Sequence, residues 1–106
     1  MSALLKEPSL RMRPMEEADL ATVLAVERAG YPHPWTEGNF RDCLGAGYCC
    51  WVLELEGRAI GHGVLSVAVG EAHVLNVCVH PDWQGRGLGR RILERLQLAL
   101  GRVARR

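Results

Sequence analysis

The spacing of apolar residues predicts a strand and two helices in the first half of the chain. Apolar and basic side chains alternate over Leu10–Arg13, which is typical of a half-buried strand. Apolar residues that share one helical face predict a helix over Met15–Ala29, with Gly30 as its C′ residue. Thr36 is a candidate N-cap for a shorter helix that runs through Leu44.

The second half of the chain predicts three antiparallel strands and a final helix. Cys49–Glu56, Ala59–Val69 and Ala72–Val79 are β-rich and are separated by short turns, so they form a meander in which the first two make a hairpin. A helix begins near Gly87. Its predicted core face has helical period and contains Leu88, Ile92, Leu93, Leu96 and Leu100.

Two details of the strands carry further predictions. Gly61 and Gly63 lie inside the second strand of the meander, which indicates a β-bulge or a close backbone approach. The third strand ends in the unbroken apolar run Val77-Cys78-Val79, which indicates a strand that is covered on both faces. The order of elements predicts a mixed α/β (α+β) fold.

Length and composition limit the class of protein. The 106 residues make one small domain, and 48% hydrophobic with 24% charged residues is ordinary for a globular chain. No apolar run approaches the roughly 18 residues of a membrane span. Met1–Pro8 lacks the pattern of a secretory signal, so we expect a cytoplasmic protein without a membrane partner.

Cysteine and histidine spacing argues against a metal. There is no Cys-x-x-Cys pair and no histidine at zinc-finger spacing, so we expect no metal and interpret the cysteines as small apolar side chains, namely Cys43, Cys49, Cys50 and Cys78. His62 and His73 are interpreted as sheet residues, and His80 ends the third strand of the meander.

Charge is distributed unevenly along the chain. Residues 1–80 carry six basic and ten acidic side chains, a net −4, whereas residues 81–106 carry seven arginines and two acidic side chains, a net +5. An anion would therefore be drawn to the last quarter of the chain. The terminal cluster of Arg102, Arg105 and Arg106 suits a solvated helix end, and we expect no direct contact with nucleic acid.

The glycine-rich segment Gln84–Arg90 carries the clearest chemical signal. It joins an apolar strand to an amphipathic helix, and its three glycines stand at every second position. Glycines let a ligand approach the backbone, and the N–H groups at a helix start attract phosphate. The spacing matches neither a P-loop nor the dinucleotide fingerprint Gly-x-Gly-x-x-Gly. The sequence therefore predicts a phosphate or pyrophosphate site, the alternative being a turn without a ligand.

Val77–Arg91 resembles the acetyl-CoA signature of the GNAT N-acetyltransferases, whose core is Gln/Arg-x-x-Gly-x-Gly/Ala. Within that family the chain is similar to the enzymes that acetylate the N-terminal alanine of a ribosomal protein. Three segments carry this narrower likeness, namely Arg13-Pro14-Met15 with Ala18-Asp19-Leu20, Pro34-Trp35-Thr36-Glu37, and Glu71–Val77. The likeness covers nearly the whole chain.

The resemblance implies roles for individual residues. Acetyl-CoA is the implied co-substrate and a peptide or protein N-terminus the implied acceptor. The amine would attack the thioester directly, so Cys78 need not be a nucleophile. Pro34 and Trp35 would contact the peptide, although Trp35 packed over the core is an equal alternative. The implied cofactor-binding residues are Val77, Cys78, Val79, Gln84, Gly85, Arg86, Gly87, Leu88, Gly89 and Arg90.

The chain also departs from the family. Members extend about 45 residues further by resemblance, and that part carries the general base and the acid, so no catalytic residue is assigned within this chain. Residues 1–106 are therefore expected to form a single, incomplete GNAT domain. The last strand of the meander would present an open edge, which allows self-association. The alternatives are a non-catalytic CoA-binding or interaction fragment, and a GNAT that acts on a different amine.

Overall fold

A computed structural model describes the backbone of residues 10–104 and the side chains of residues 10–99. It contains four strands and three α-helices, in the order β1 (Leu10–Pro14), α1 (Leu20–Gly30), α2 (Glu37–Gly45), β2 (Cys49–Leu55), β3 (Arg58–Ala68), β4 (Glu71–Val79) and α3 (Leu88–Ala104). This order confirms the predicted α/β arrangement. The predictions for Met1–Pro8, for the side chains of Leu100 and Arg102, and for the final two arginines lie outside the described residues.

The strands form one antiparallel sheet in chain order, β1-β2-β3-β4. β1 pairs with β2, so that Leu10 lies opposite Leu55 and Pro14 opposite Trp51. The predicted meander of β2, β3 and β4 is confirmed. Because successive side chains of a strand point to opposite faces, β2 and β3 contribute to two separate cores.

The first predicted helix begins later than the pattern indicated. Met15 is buried ahead of it, and Glu17–Asp19 form a single 3-10 turn before α1 starts at Leu20. Asp19 accepts a hydrogen bond from the backbone N–H of Glu16, and this capping interaction favours the tighter turn.

Gly30 is helical and does not serve as the predicted C′ residue. It is the last residue of α1, and the chain turns extended at Tyr31. A Cβ at Gly30 would lie 2.7 Å from the Cys78 Sγ atom. The glycine is therefore required because α1 packs closely on β4, and the sequence pattern could not separate this reason from a helix cap.

The second helix confirms its predicted cap. The Thr36 side chain accepts a hydrogen bond from the Asn39 backbone N–H at 3.2 Å, and the Asn39 side chain accepts one from the Thr36 N–H at 2.9 Å. This reciprocal pair satisfies two donors at the start of α2. Phe40 and Cys43 then face the core.

Helices cover both faces of the sheet. On one face α1 and α2 pack over residues such as Val52 and Val64. On the other face α3 packs over residues such as Leu53 and Leu65. The predicted core face of α3 is confirmed at its buried positions Leu88, Ile92 and Leu96.

The predicted close approach at the glycines of β3 is confirmed. A Cβ at Gly63 would lie 2.6 Å from Ile92 Cγ2, and one at Gly61 would lie 3.1 Å from Ile92 Cδ1. The register also shifts near these residues, once against β2 and once against β4. Glycine therefore lets α3 lie directly on the β3 backbone.

β4 is only partly covered, which corrects the prediction of a strand buried on both faces. Cys78 and Val79 are buried, but Val74 and Leu75 expose 50% and 41% of their surface. Cys78 lies against α1 and Val79 belongs to the core under α3, whereas β4 as a whole is an edge strand of the sheet. No helix of the described part of the chain is long and apolar enough to cross a membrane.

Candidate functional site

A groove of about 270 Å³ lies between the end of β4 and the start of α3. Its walls come from the apolar strand, the glycine-rich segment and the short turn between them. The lining residues are Val77, Val79, Trp83, Gln84, Gly85, Gly87, Leu88 and Gly89. Seven of these were predicted to bind the cofactor, and the groove brings them together.

The glycine-rich segment has a backbone that other residues would not adopt readily. Gly85 and Gly87 have φ angles of +81° and +78°. At these angles a Cβ clashes with the backbone, so glycine is favoured. The first N–H groups of α3, at Leu88, Gly89 and Arg90, have no intrahelical carbonyl to bind. The loop therefore offers backbone N–H donors without an intrahelical partner and the positive end of a helix dipole to an anion.

The free edge of β4 supplies the other wall. The Val77 carbonyl accepts a hydrogen bond from the Tyr31 hydroxyl, and the Val79 carbonyl accepts one from Gln84 Nε2 at 2.8 Å. Both carbonyls thus point away from β3. Since the N–H and C=O of one strand residue point to the same side, the N–H groups of Val77 and Val79 face the groove edge as well.

Cys78 faces the opposite way and does not line the groove, although it was predicted among the cofactor-binding residues. Alternation along β4 turns its side chain toward α1, where Sγ lies 3.7 Å from the Val26 carbonyl oxygen. Burial raises the pKa of the Cys78 thiol to about 11, with a smaller contribution from Glu27. At neutral pH a thiol with this pKa is protonated, which disfavours nucleophilic attack by Cys78.

The two predicted arginines lie outside the groove lining. The Arg86 guanidinium stacks on the Trp83 ring at 4.9 Å from its centroid and borders a second, smaller cavity. Arg90 is exposed on the first turn of α3. Trp83 therefore separates Arg86 from the groove, whereas Arg90 is solvent-accessible beside the glycines.

A buried polar cluster lies beneath β4, on the side of α1. Glu27 is only 1% exposed, although it stands in α1 among apolar neighbours. Its carboxylate accepts hydrogen bonds from His62 Nε2 at 2.8 Å and from Asn76 Nδ2 at 3.1 and 3.2 Å. It also accepts one from the Trp35 backbone N–H at 3.1 Å. One carboxylate thus joins α1, β3, β4 and the loop before α2.

The hydrogen bonds of this cluster outweigh the cost of burial. Burial alone would raise the pKa of Glu27, but the donors from His62, Trp35 and Asn76 lower it overall. The carboxylate is therefore ionised at neutral pH. Among the described residues, His62 Nδ1 and Asn76 Oδ1 are the buried side-chain atoms without a partner.

Glu27, His62 and Cys78 place metal-ligand atoms within 4.8 Å of one another. In the structure these groups are hydrogen-bonded, since Glu27 accepts four hydrogen bonds, one of them from His62 Nε2, and the Cys78 thiol lies against the Val26 carbonyl oxygen. A metal ion would have to displace these bonds and the thiol proton, because it binds a thiolate and a free carboxylate lone pair.

Pro34 and Trp35, the predicted peptide contacts, lie in the loop between α1 and α2 and are half-buried. The Trp35 ring packs on Phe40 with centroids 5.0 Å apart, against the α1–α2 core. This arrangement corresponds to the alternative in which Trp35 packs over the core. Neither residue lines the groove at the glycine-rich segment.

The sequence patterns assign no site role to three residues of this region, namely Tyr31, Glu27 and Trp83. The Tyr31 hydroxyl reaches the edge of β4. Glu27 is the centre of the buried cluster, and Trp83 lines the groove. Only the charge of Glu27 within an apolar helical face could have singled it out.

Comparisons with known proteins identify the family of the chain. Residues 46–106 match the family model described as acetyltransferase (GNAT) domain. The chain is 33% identical over 82 residues to the [ribosomal protein bS18]-alanine N-acetyltransferase of Escherichia coli, covering 77% of this chain and 55% of that protein. It thus spans about half the length of the curated relatives that it matches.

Solved structures show the same fold. The crystal structure of the ribosomal-protein-S18-alanine N-acetyltransferase from Escherichia coli superposes with a TM-score of 0.77 at 31% identity, over 82% of this chain and 56% of that one. The PaiA N-acetyltransferase from Thermoplasma acidophilum, in complex with coenzyme A, gives 0.71 at 15% identity, over 89% and 73%. The chain belongs to the GNAT acetyltransferase family.

Proposed function

We propose that this chain binds acetyl-CoA in the groove between β4 and α3 and takes part in acetyl transfer to the α-amine of a protein N-terminus. The observation that carries the proposal is the meeting of two features at one groove, an open strand edge and a glycine loop at a helix start. The family supports the co-substrate, since relatives of the same fold bind coenzyme A.

Each wall of the groove suits one part of the co-substrate. The pyrophosphate would lie against Gly85–Gly89, where backbone N–H groups and the helix dipole are favourable to an anion. The pantetheine arm carries two amides, and these would pair with the backbone of Val77 and Val79 as another strand would. Arg90 adds formal charge beside the loop.

The transfer step is direct. The amine nitrogen attacks the thioester carbonyl carbon, a C–N bond forms, and the C–S bond breaks as the CoA thiolate leaves. The amine gives up a proton and the thiolate takes one. A backbone N–H at the edge of β4 would stabilise the oxyanion of the tetrahedral intermediate. Cys78 does not carry the acetyl group, because its thiol is buried, protonated and turned toward α1.

The acceptor is proposed from a relative that matches the chain in both sequence and structure. The Escherichia coli relative is named for acetylation of the alanine of ribosomal protein bS18, so the first acceptor to test is a peptide with an N-terminal alanine. The Pro34-Trp35 loop lies on the α1 side of β4. The Glu27 carboxylate links the loop to the strand, because it accepts hydrogen bonds from the Trp35 backbone N–H and from Asn76 of β4.

A binding role without catalysis is the second candidate. It is favoured by the exposed edge of β4, where Val74 and Leu75 are half-exposed beside unpaired backbone. Such an edge accepts a further strand, either from a partner or from a second copy of this chain. An acceptor-dependent increase in mass of 42 Da on a test peptide distinguishes the two roles, because only the enzyme produces it.

Calorimetric titration of acetyl-CoA tests the proposed co-substrate site. We expect saturable binding that Arg90→Glu weakens about tenfold, because it replaces an attraction with a repulsion at the phosphate site. The matched control is Arg58→Glu, an exposed residue at the start of β3 and away from the groove. Arg86→Glu should weaken binding less, since its guanidinium lies behind Trp83. Absence of binding by the folded chain would refute the proposal.

A peptide assay then tests the reaction. Acetylation of an N-terminal alanine peptide, followed by mass spectrometry, should proceed equally in the unmodified chain and in Cys78→Ala if transfer is direct. An amino-blocked peptide that contains lysine is the control for a different amine. A Cys78→Ala variant that remains folded and binds acetyl-CoA but loses all transfer would contradict the direct mechanism.

A further inference from the structure

The edge of β4 is already occupied by side chains of the same molecule. The Tyr31 hydroxyl donates to the Val77 carbonyl, and the Gln84 amide donates to the Val79 carbonyl. These are the acceptors that an extended ligand with amide N–H groups would use at this edge. An incoming ligand must therefore compete with the chain's own donors.

The side chain of Tyr31 can leave its contact without a change in the backbone. Its backbone is fixed, because its N–H donates to the Glu27 carbonyl at the end of α1 at 3.0 Å. Its side chain, by contrast, is 39% exposed, and its hydroxyl makes its one described hydrogen bond to Val77. Rotation about the side-chain bonds frees the strand edge without moving α1 or the sheet.

The protonation of Tyr31 keeps it a donor. Burial of the hydroxyl raises the pKa of Tyr31, and the nearby Cys78 and Glu27 raise it further. At neutral pH the phenol therefore carries its proton. A phenol proton on a backbone carbonyl mimics the amide proton that a paired strand would supply.

We propose that the Tyr31 hydroxyl competes with a ligand for the edge of β4. In the unliganded chain it donates a hydrogen bond to the Val77 carbonyl, and on binding an amide N–H of the pantetheine arm replaces it. This role rests on the proposed acetyl-CoA site, in which the Tyr31 hydroxyl blocks one backbone acceptor of the strand. Binding then exchanges one hydrogen bond for another, and the freed tyrosine turns away from the strand beside the Pro34-Trp35 loop.

The test compares two tyrosines and two ligands by calorimetry. Tyr31→Phe removes the competing donor and keeps the ring. Tyr48→Phe is the matched control, since Tyr48 is exposed to a similar extent, 37%, and makes no side-chain hydrogen bond among the described residues. Acetyl-CoA carries the pantetheine amides, whereas adenosine 3′,5′-bisphosphate keeps phosphates of the nucleotide end and lacks the amides.

We expect Tyr31→Phe to bind acetyl-CoA about fivefold more tightly, the equivalent of one net hydrogen bond. Its affinity for adenosine 3′,5′-bisphosphate should be unchanged, and Tyr48→Phe should change neither. Tyr31→Phe should also melt at a slightly lower temperature, because the free chain loses a hydrogen bond. Lower stability together with tighter binding is the signature of competition, which a merely structural tyrosine would not produce.

Two results would overturn the inference, and they differ. If Tyr31→Phe binds acetyl-CoA equally or more weakly while both ligands still bind, the competitor role is wrong and the acetyl-CoA site remains. If neither ligand binds the folded unmodified chain or the variant, the proposed function fails and the competitor role fails with it. As an independent readout, the ¹³Cζ resonance of Tyr31 should shift with acetyl-CoA and that of Tyr48 should not.

Discussion

The two faces of the sheet are stabilised by different chemistry. The face under α1 contains an ionised carboxylate, an imidazole and an amide in full burial, at Glu27, His62 and Asn76. The face under α3 consists of apolar side chains packed on glycines, with Ile92 above Gly61 and Gly63. The same strands build both faces, so the difference comes from alternate residues of β3 and β4.

The difference teaches how the groove is supported. On the face under α1, the polar face, hydrogen bonds from three segments converge on the Glu27 carboxylate and fix the relative positions of those segments. On the face under α3, the apolar face, glycine lets the helix approach the strand and thereby sets the distance between α3 and β3. Together they hold β4 from both sides at the point where its edge opens toward α3.

The largest effect should come from removing the carboxylate of the polar face. Glu27→Ala leaves the His62 and Asn76 donors buried without their acceptor, and should cost about 3–5 kcal/mol of unfolding free energy. Chemical denaturation followed by circular dichroism measures it. Glu94→Ala on the exposed side of α3 is the control and should be neutral. If Glu27→Ala costs no more than this control, the polar face does not stabilise the fold.

The next effect should come from adding one carbon to the apolar face. A Cβ at Gly63 would meet Ile92 Cγ2 at 2.6 Å and Leu96 Cδ1 at 2.9 Å, so Gly63→Ala should cost about 1–3 kcal/mol. Gly45→Ala is the control, since no described atom lies within 4 Å of its added Cβ.

A double variant sharpens the comparison for this face. Ile92→Ala makes room beside Gly63, so Gly63→Ala should be less destabilising in that background than alone. Additive costs would show that the helix does not contact β3 as closely as the structure describes.

A smaller effect is expected at the cap of α2, which borders the polar face. Thr36→Ala removes the acceptor of the Asn39 N–H and should cost about 1 kcal/mol. Thr22→Ala, at an exposed position of α1, is the matched control. Equal thermal melting of the two variants would contradict a capping role for Thr36.

The smallest effect should be a difference in pH dependence between the faces. The pKa of Glu27 is lowered in the folded chain, so its contribution to stability is present above the ordinary pKa of 4.5 and is lost as pH falls through the folded value. Glu27→Gln should therefore flatten the loss of stability below pH 4.5 relative to the unmodified chain. Gly63→Ala should keep the original slope, and a parallel slope for Glu27→Gln would refute the assignment.

The sequence predicted the apolar face better than the polar one. Periodicity located α3 and its buried residues, because a repeating apolar stripe needs no partner to be recognised. Gly61 and Gly63 were recognised for a similar reason, since glycine inside a strand already implies close approach. The groove residues followed from a local motif that joins one strand to one helix.

The polar face depends on contacts that are distant along the chain. Glu27 and Asn76 are 49 residues apart, and Tyr31 and Val77 are 46 apart. No local pattern links such pairs, so neither the buried cluster nor the tyrosine at the strand edge could be predicted. Gly30 was misassigned for the same reason, because its neighbour Cys78 belongs to another element.

The position of Trp83 in the wall of the groove makes ligand binding observable by fluorescence. Trp83 lines the groove, while Trp35 packs on Phe40 and Trp51 stacks with Arg95 on the sheet. Of the three indoles, Trp83 alone borders the space where a ligand would enter. A nucleotide or thioester in the groove changes the polarity around this ring, so its emission is an intrinsic fluorescent reporter of occupancy that needs no attached dye.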